Sequence, residues 1–304
     1  MRTNVFYSHG KLLLTAEYVV LDNATALAIP TKKGQYLSIK PIDGNTLIWK
    51  SFDEQNQIWF ETEIDITLKN TSKNNKEHQT LLHILQVAKK LNPTFLNNNQ
   101  GYLVTTQLTF NRNFGLGSSS TLIANIAQWA KVNAFELLQQ SFGGSGYDIA
   151  CANSNGALTY KRNNNNPIIE YLIFDPEFKK QIYFVYLNKK QDSKLGIQRY
   201  KSLNATSKQH QIKVINSITQ QLITCATITE FNSLINQHEN IISNLIETPT
   251  VSETLFKDYT NGSIKSLGAW GGDFIMVTVN HISNLNYFKA KGYTTIFSFE
   301  DMVL

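Results

Sequence analysis

Phe114-Gly115-Leu116-Gly117-Ser118-Ser119-Ser120, running straight into the periodic segment Thr121 to Val132, is the stretch on which the reading of this chain turns. Glycines let a backbone approach a ligand closely, and the first N–H groups of a helix have no partner of their own. A glycine-serine loop opening a helix is therefore an anion site. Its serine hydroxyls add donors, one of which can face a metal ion. Upstream, Tyr102 to Leu108 has the composition of a strand leading into the loop, and the helix carries Leu122, Ile123, Ile126, Ala127 and Ala130 on one face. Two further glycine-bearing stretches, Ser145-Gly146-Tyr147-Asp148 and Gly268-Ala269-Trp270-Gly271-Gly272-Asp273, make phosphate handling the consistent reading.

The chain has 304 residues, 42% hydrophobic and 17% charged, enough for one large domain or two of ordinary size with a substantial core. A net charge of +5 suits an anionic small ligand. The lysines are scattered among asparagines without a basic run, so a nucleic-acid partner is not expected. Cys151 and Cys225 are the two cysteines and sit in no metal-ligand spacing, which argues against a zinc site. Two thiols and no secretory pattern point to the cytoplasm. The apolar runs, Ile182 to Leu187 among them, are too short to span a bilayer, so no membrane partner is expected.

Working outward, the first part reads as strands: Val5 to Tyr7, Lys11 to Leu21, Ala26 to Pro30, Gln35 to Ile39, Thr46 to Lys50 and Ile58 to Ile64. Lys69 to Lys76 reads as a loop. A helix carries Leu81, Leu82, Leu85, Ala88 and Leu91 and stops before Pro93. Short helices are expected over Ala134 to Gln140 and near Asp148, then a strand over Ala157 to Lys161 and a loop over Arg162 to Pro167. The second part opens on a strand, Ile182 to Leu187. Helices follow over Asp192 to Leu203, Ser207 to Cys225, Ile228 to Leu245 and Ser252 to Asn261. Strands at Ile264 to Leu267 and Phe274 to Val279, a helix over Leu285 to Lys291 and a strand at Tyr293 to Phe299 close the chain. Strands backed by helices, without βαβ alternation throughout, indicate two α+β domains.

No G-x-x-x-x-G-K-[ST] string occurs, and there is no protein-kinase H-R-D or D-F-G set, so phosphate chemistry here needs another architecture. Ser8-His9-Gly10-Lys11-Leu12-Leu13-Leu14-Thr15-Ala16-Glu17-Tyr18, Phe114 to Ser120, Ser145-Gly146-x-Asp148 and Lys265 to Phe274, in that order, resemble the motifs of the GHMP small-molecule kinases. Gly146-Tyr147-Asp148-Ile149-Ala150 spells the string of the GYDIA subgroup. The resemblance spans residues 8 to 274. It implies an α+β, two-domain GHMP kinase fold: an N-terminal ribosomal protein S5 domain 2-like domain over 1–172 and a C-terminal ferredoxin-like α+β domain over 173–304.

It also implies ATP and Mg2+ as cofactors, a small-molecule substrate and a family-level homodimer. Gly115, Leu116, Gly117, Ser118, Ser119 and Ser120 would cradle the nucleotide phosphates. Ser119 would face the metal, with Glu136 as a second, acidic ligand, since it is the acidic residue available between Ser120 and Asp148. Asp148 would take the proton of the acceptor, and Lys11 would stand beside Asp148 and the γ-phosphate. Ser145, Gly146, Gly271 and Gly272 would contact substrate. Phosphorylation of mevalonate or phosphomevalonate fits this pattern best. A diphosphomevalonate decarboxylase is disfavoured because apolar Ile149-Ala150-Cys151-Ala152 follows Asp148. A ligand-binding protein without turnover is disfavoured by Lys11 and Asp148. Ala16 replaces a usual glycine, His9 replaces a usual proline as a loop residue, and Glu17 reads as a strand residue with a surface partner. Trp270 places an indole in the third glycine-rich loop, where it would narrow that loop or stack on a ligand.

Overall fold

The computed structural model describes residues 3–69, 75–163, 166–190, 194–268 and 270–304. They form two compact units that interleave along the chain. One comprises Met1–Gly10, Lys33–Arg112 and Leu116–Asn153, the other Lys11–Lys32, Asn113–Gly115 and Ser154–Leu304. The domains expected from sequence were contiguous; here residues 11–32 and 113–115 are grouped with the C-terminal half. The central part of the polar loop expected over Lys69 to Lys76, the Asn164-Asn165 pair and the first residues of the helix expected from Asp192 lie outside the described residues.

The first unit takes most of β1 (Asn4–Leu13) and the second part of β2 (Ala26–Ile42), with β3 (Thr46–Phe52), β4 (Ile58–Asp65), α1 (Lys76–Leu91), β5 (Gly101–Leu108), α2 (Ser118–Ala130), α3 (Ala134–Ser141) and α4 (Tyr147–Ala152). β3 pairs antiparallel with β4 and parallel with β5, and β5 pairs antiparallel with residues 35–42 of β2. The parallel step needs a crossover, which α1 supplies. Asn75 caps α1 by accepting from the N–H groups of Glu77 and His78. Leu37, Trp49 and Val104 from the sheet meet Leu85, Ile123 and Leu137 from the helices in one core. Each large apolar side chain buried there contributes roughly 1.5–3 kcal/mol.

Ala26 to Pro30 and Gln35 to Ile39, expected as two strands, are one 17-residue strand. Gly34 lets it pass close to β1: a Cβ there would lie 2.2 Å from the Ser8 carbonyl oxygen. β1 likewise runs through His9, which is a strand residue in edge contact with Tyr7 rather than part of a loop.

The second unit contains β6 (Leu158–Lys161), β7 (Ile168–Tyr171), β8 (Ile182–Tyr186), α5 (Lys194–Ser202), α6 (Ala205–Thr224), α7 (Ile228–Ile246), α8 (Val251–Leu255), β9 (Ile264–Ser266), β10 (Phe274–Thr278), α9 (Leu285–Ala290), β11 (Ile296–Ser298) and α10 (Phe299–Met302). Residues 26–28 of β2 pair with β6, and β6 pairs with β7. A separate antiparallel sheet has the order β11-β8-β10-β9. With helices after β8 and after β10, this is the split βαβ topology expected of a ferredoxin-like domain. The strand expected over Lys11 to Leu21 stops at Leu13. Ala16 and Tyr18 take positive φ angles of 68° and 64°, which turns the chain into a short 3-10 segment, Val19–Asp22. The helix expected from Ser252 to Asn261 is only α8, because Phe256 and Tyr259 turn inward to the core of this unit.

Candidate active site

In the first unit, the glycine-serine loop opens α2 as the sequence indicates. Gly117 is the N-cap at φ 89°, in the left-handed region, and no side chain caps the helix. The leading N–H groups of α2 are therefore open to a ligand. The three serines differ. Ser120 is buried and donates back to the Gly117 carbonyl at 2.8 Å. Ser118 is half-buried and Ser119 exposed.

A buried polar ladder fixes the direction of α2. Asn125 is wholly buried; it accepts from the Ser8 hydroxyl at 2.9 Å and donates to the Gln35 carbonyl at 2.9 Å. One turn earlier, Thr121 donates to the Gln35 side chain at 2.8 Å. A shifted α2 would leave several of these buried groups unpaired, at about 1–3 kcal/mol each.

α4 packs against α2. Its N-cap is Gly146 at φ 92°, and Asp148 lies in its first turn, half-buried, with an oxygen 3.1 Å from the N–H of Ile149. Ser145 is half-buried beside it. Glu136 is exposed in the first turn of α3, which Asn133 caps. Among the described residues, no three His, Cys, Asp or Glu side chains converge as a metal site.

In the second unit, three distant stretches meet. The Lys11 ammonium donates to the Gly115 carbonyl at 2.9 Å. A Cβ on Gly268 would come 3.9 Å from the same ammonium. A Cβ on Gly115, whose φ is +66°, would lie 2.3 Å from Asp273 Oδ2, so a larger residue there must displace the Asp273 side chain. Lys11, the start of the glycine-serine loop and both ends of the Gly268-to-Asp273 stretch are thus adjacent. Phe114 anchors this arrangement against Tyr186, Phe274 and Phe297, with ring centroids 4.8, 5.2 and 6.1 Å away. Gly271, at φ +85°, has open space around it, whereas Gly272 is buried.

No protein-family profile matches the chain, and no curated protein matches it in sequence. Solved structures do match. A mevalonate kinase from Methanococcus jannaschii superposes with a TM-score of 0.71 at 16% identity, covering 97% of each chain. Streptococcus pneumoniae phosphomevalonate kinase, in complex with phosphomevalonate and AMPPNP, gives 0.71 at 14% identity over 97% of this chain and 99% of that one. Lactococcus lactis galactokinase complexed with galactose gives 0.66 at 14% identity over 98% and 93%.

The chain has the fold of the GHMP kinases. On this GHMP-kinase fold, two residues read from sequence stand differently. Glu17 has no surface partner: it is 1% exposed and accepts from Lys265 Nζ at 2.7 Å. Trp270 is 4% exposed with its indole N–H buried, so it is a packed side chain and not a stacking platform.

Lys265 also reaches Glu239 at 3.3 Å, and Glu239 accepts from the Ser266 hydroxyl at 3.0 Å. His238 Nε2 accepts from the Ala16 N–H at 2.9 Å. Burial pushes the Glu17 carboxyl up, and pushes Glu239 up to about 7, with Lys265 opposing both shifts. His238 is held well below its ordinary range, first by burial and then by the Lys265 charge, so it is neutral. With Nε2 accepting, its proton is assigned to Nδ1. Among these, the sequence marked Glu17 and Lys265 only as members of motif stretches. Glu239, His238 and Asn125 carried no local signal.

Proposed function

We propose that this chain is an ATP-dependent phosphotransferase acting on a small molecule. The best candidates are mevalonate or phosphomevalonate, phosphorylated on a hydroxyl or on a phosphate. The observation that carries this reading is the meeting of Lys11, Gly115 and Gly268 in a chain with the GHMP-kinase fold. Solved structures of that fold include one bound to phosphomevalonate and an ATP analogue.

In this reading, Gly115 to Ser120 receive the nucleotide phosphates through backbone N–H groups and the open start of α2. The glycines permit close approach, and the helix N-terminus favours negative charge. Phosphoryl transfer asks little covalent chemistry of a protein; positioning and charge stabilisation supply most of the acceleration. An acceptor oxygen attacks the γ-phosphorus, the bond from that phosphorus to the β–γ bridging oxygen breaks, and ADP leaves. Asp148 accepts the proton lost by an acceptor hydroxyl. Lys11 offsets charge on the transferring group, its donors already directed by the Gly115 carbonyl. Ser145, Gly146, Gly271 and Gly272 contact the acceptor, the glycines by offering backbone without side chain.

Mg2+ suits the oxygen donors proposed for it, the hydroxyl of exposed Ser119 and the carboxylate of exposed Glu136. Without a convergent acidic cluster among the described residues, its other ligands are phosphate oxygens and water. When bound, it neutralises phosphate charge. The test is ADP release from ATP and Mg2+ against mevalonate, phosphomevalonate, diphosphomevalonate, galactose and homoserine. Acceptor-dependent ADP with either of the first two supports the reading. ATP turnover that ignores every acceptor contradicts it.

A further inference from the structure

The buried charges of the second unit lie on the segments that carry Lys11 and Gly268. Glu17 stands six residues after Lys11, and Lys265 three residues before Gly268. Lys265 is wholly buried and donates to Glu17 at 2.7 Å, to Glu239 at 3.3 Å and to the Ser266 carbonyl at 3.0 Å. His238, on α7 beside Glu239, accepts the N–H of Ala16. Three segments are therefore tied at one point: residues 14–18, strand β9 and helix α7.

A buried ion pair is a poor source of net stability, because desolvation offsets most of the attraction. It is directional, however, which an apolar contact is not. The strained backbone on either side of Glu17 shows what is being held. Ala16 and Tyr18 both have positive φ, and neither is glycine. Such outliers persist only where the surroundings over-determine them. Here Ala16 is held by His238, and the Tyr18 hydroxyl accepts from the Trp270 backbone N–H, within the third glycine-rich stretch. Gly196 lies close enough to that hydroxyl that a Cβ on it would be 2.6 Å away.

We propose that Glu17, Lys265, Glu239 and His238 are positioning residues for Lys11. The network clamps the segment after Lys11 to the strand that leads into Gly268, and thereby sets where the ammonium stands relative to Gly115 and Gly268. Its catalytic consequence rests on the phosphotransferase reading; its geometric consequence does not.

The test uses Glu17→Gln, Lys265→Met and the double variant in the full chain, with two readouts. The first is the acetylation rate of Lys11 in the folded protein, followed by mass spectrometry with acetic anhydride and with Lys50 as a reference. The second is kcat and the KM for ATP. The expected result is a Lys11 labelling rate at least fivefold above wild type with Lys50 unchanged. kcat should fall at least tenfold while the KM for ATP stays within threefold. The double variant should be no worse than the worse single, as expected of residues acting through one pair. Lys11 labelling and kcat both within twofold of wild type, whatever the melting temperature does, overturn the proposal and leave the network a purely structural one. If Lys265→Met does not fold, Glu17→Gln decides alone, because it keeps the Lys265–Glu239 pair. If wild-type protein transfers no phosphoryl group, the phosphotransferase reading fails separately, and Lys11 labelling still decides the positioning claim.

Discussion

Lys11 and Gly115 are 104 residues apart in sequence, and the lysine ammonium rests 2.9 Å from the glycine carbonyl oxygen. One hydrogen bond thus ties the strand that carries the cation to the entrance of the glycine-serine loop. Replacing Lys11 with Met removes the part-buried hydrogen bond to Gly115, a loss that should lower folding stability by about 1–2 kcal/mol. Turnover should fall far more, by roughly 100- to 1000-fold, as for loss of a donor to a charge that develops during reaction. Comparing kcat with the urea midpoint of the same variant separates the two effects. A loss of stability with kcat preserved would remove Lys11 from the chemistry.

Gly115 and Gly271 both have positive φ, but only Gly115 is crowded: a Cβ there meets Asp273 Oδ2 at 2.3 Å, while Gly271 has nothing within 4 Å. Gly271→Ala should therefore cost only the backbone strain, about 1–2 kcal/mol. Gly115→Ala adds displacement of Asp273 and should cost clearly more. Chemical denaturation of the two variants checks the order; equal losses would mean that Asp273 swings away freely.

Asn125→Ala should leave the Ser8 hydroxyl and the Gln35 carbonyl short of a partner inside the first unit. The expected cost is about 2–4 kcal/mol. Because α2 would lose its anchor, the KM for ATP should rise as well. A variant with lowered stability and wild-type KM would show that the open end of α2 does not depend on this ladder.

Glu239 titrates near neutrality. Burial pushes its carboxyl, which faces Lys265, Glu17 and Ser266, up to about 7 from 4.5. A raised folded-state value means that its contribution is fully present below the unfolded value and is lost as pH rises through about 7. His238 acts in the opposite sense: its value is lowered, so its contribution is present above about 6.5 and lost on acidification. Glu17, also raised by burial, acts in the same sense as Glu239, so the raw stability profile mixes all three. The difference between wild type and Glu239→Gln isolates Glu239, and it should move against wild type by ~3 kcal/mol between pH 4.5 and pH 8. A difference independent of pH would show that Glu239 titrates normally.

Long periodic elements and loop motifs were legible in the sequence. α7 places Phe231, Leu234, Ile235, Ile242 and Leu245 on its buried face, and α2 starts where the glycine-serine loop requires. β2 was not legible as one strand, because Pro30 and Gly34 read as breaks; its continuity comes from pairing with β5 and β6, which are distant in sequence. β7 carries no clear signal in the sequence, because it follows the asparagine run and keeps exposed apolar residues, Ile168 and Tyr171 among them. At the site, the motif stretches named the glycines, Lys11 and Asp148. The Glu17–Lys265 pair spans 248 residues, and nothing local marks Glu239 or His238 as its companions. A buried charge network is a property of packing, and it becomes readable only once the segments are brought together.

The most direct test of the central claim is 31P NMR of wild-type protein and Asp148→Asn with ATP, Mg2+ and either mevalonate or phosphomevalonate. The account predicts ADP and a phosphorylated acceptor in equal amounts for the wild type. For Asp148→Asn it predicts a transfer rate lower by orders of magnitude, with ATP binding retained. Inorganic phosphate in place of a phosphorylated acceptor, no transfer to either compound, or an unchanged rate in Asp148→Asn would contradict it.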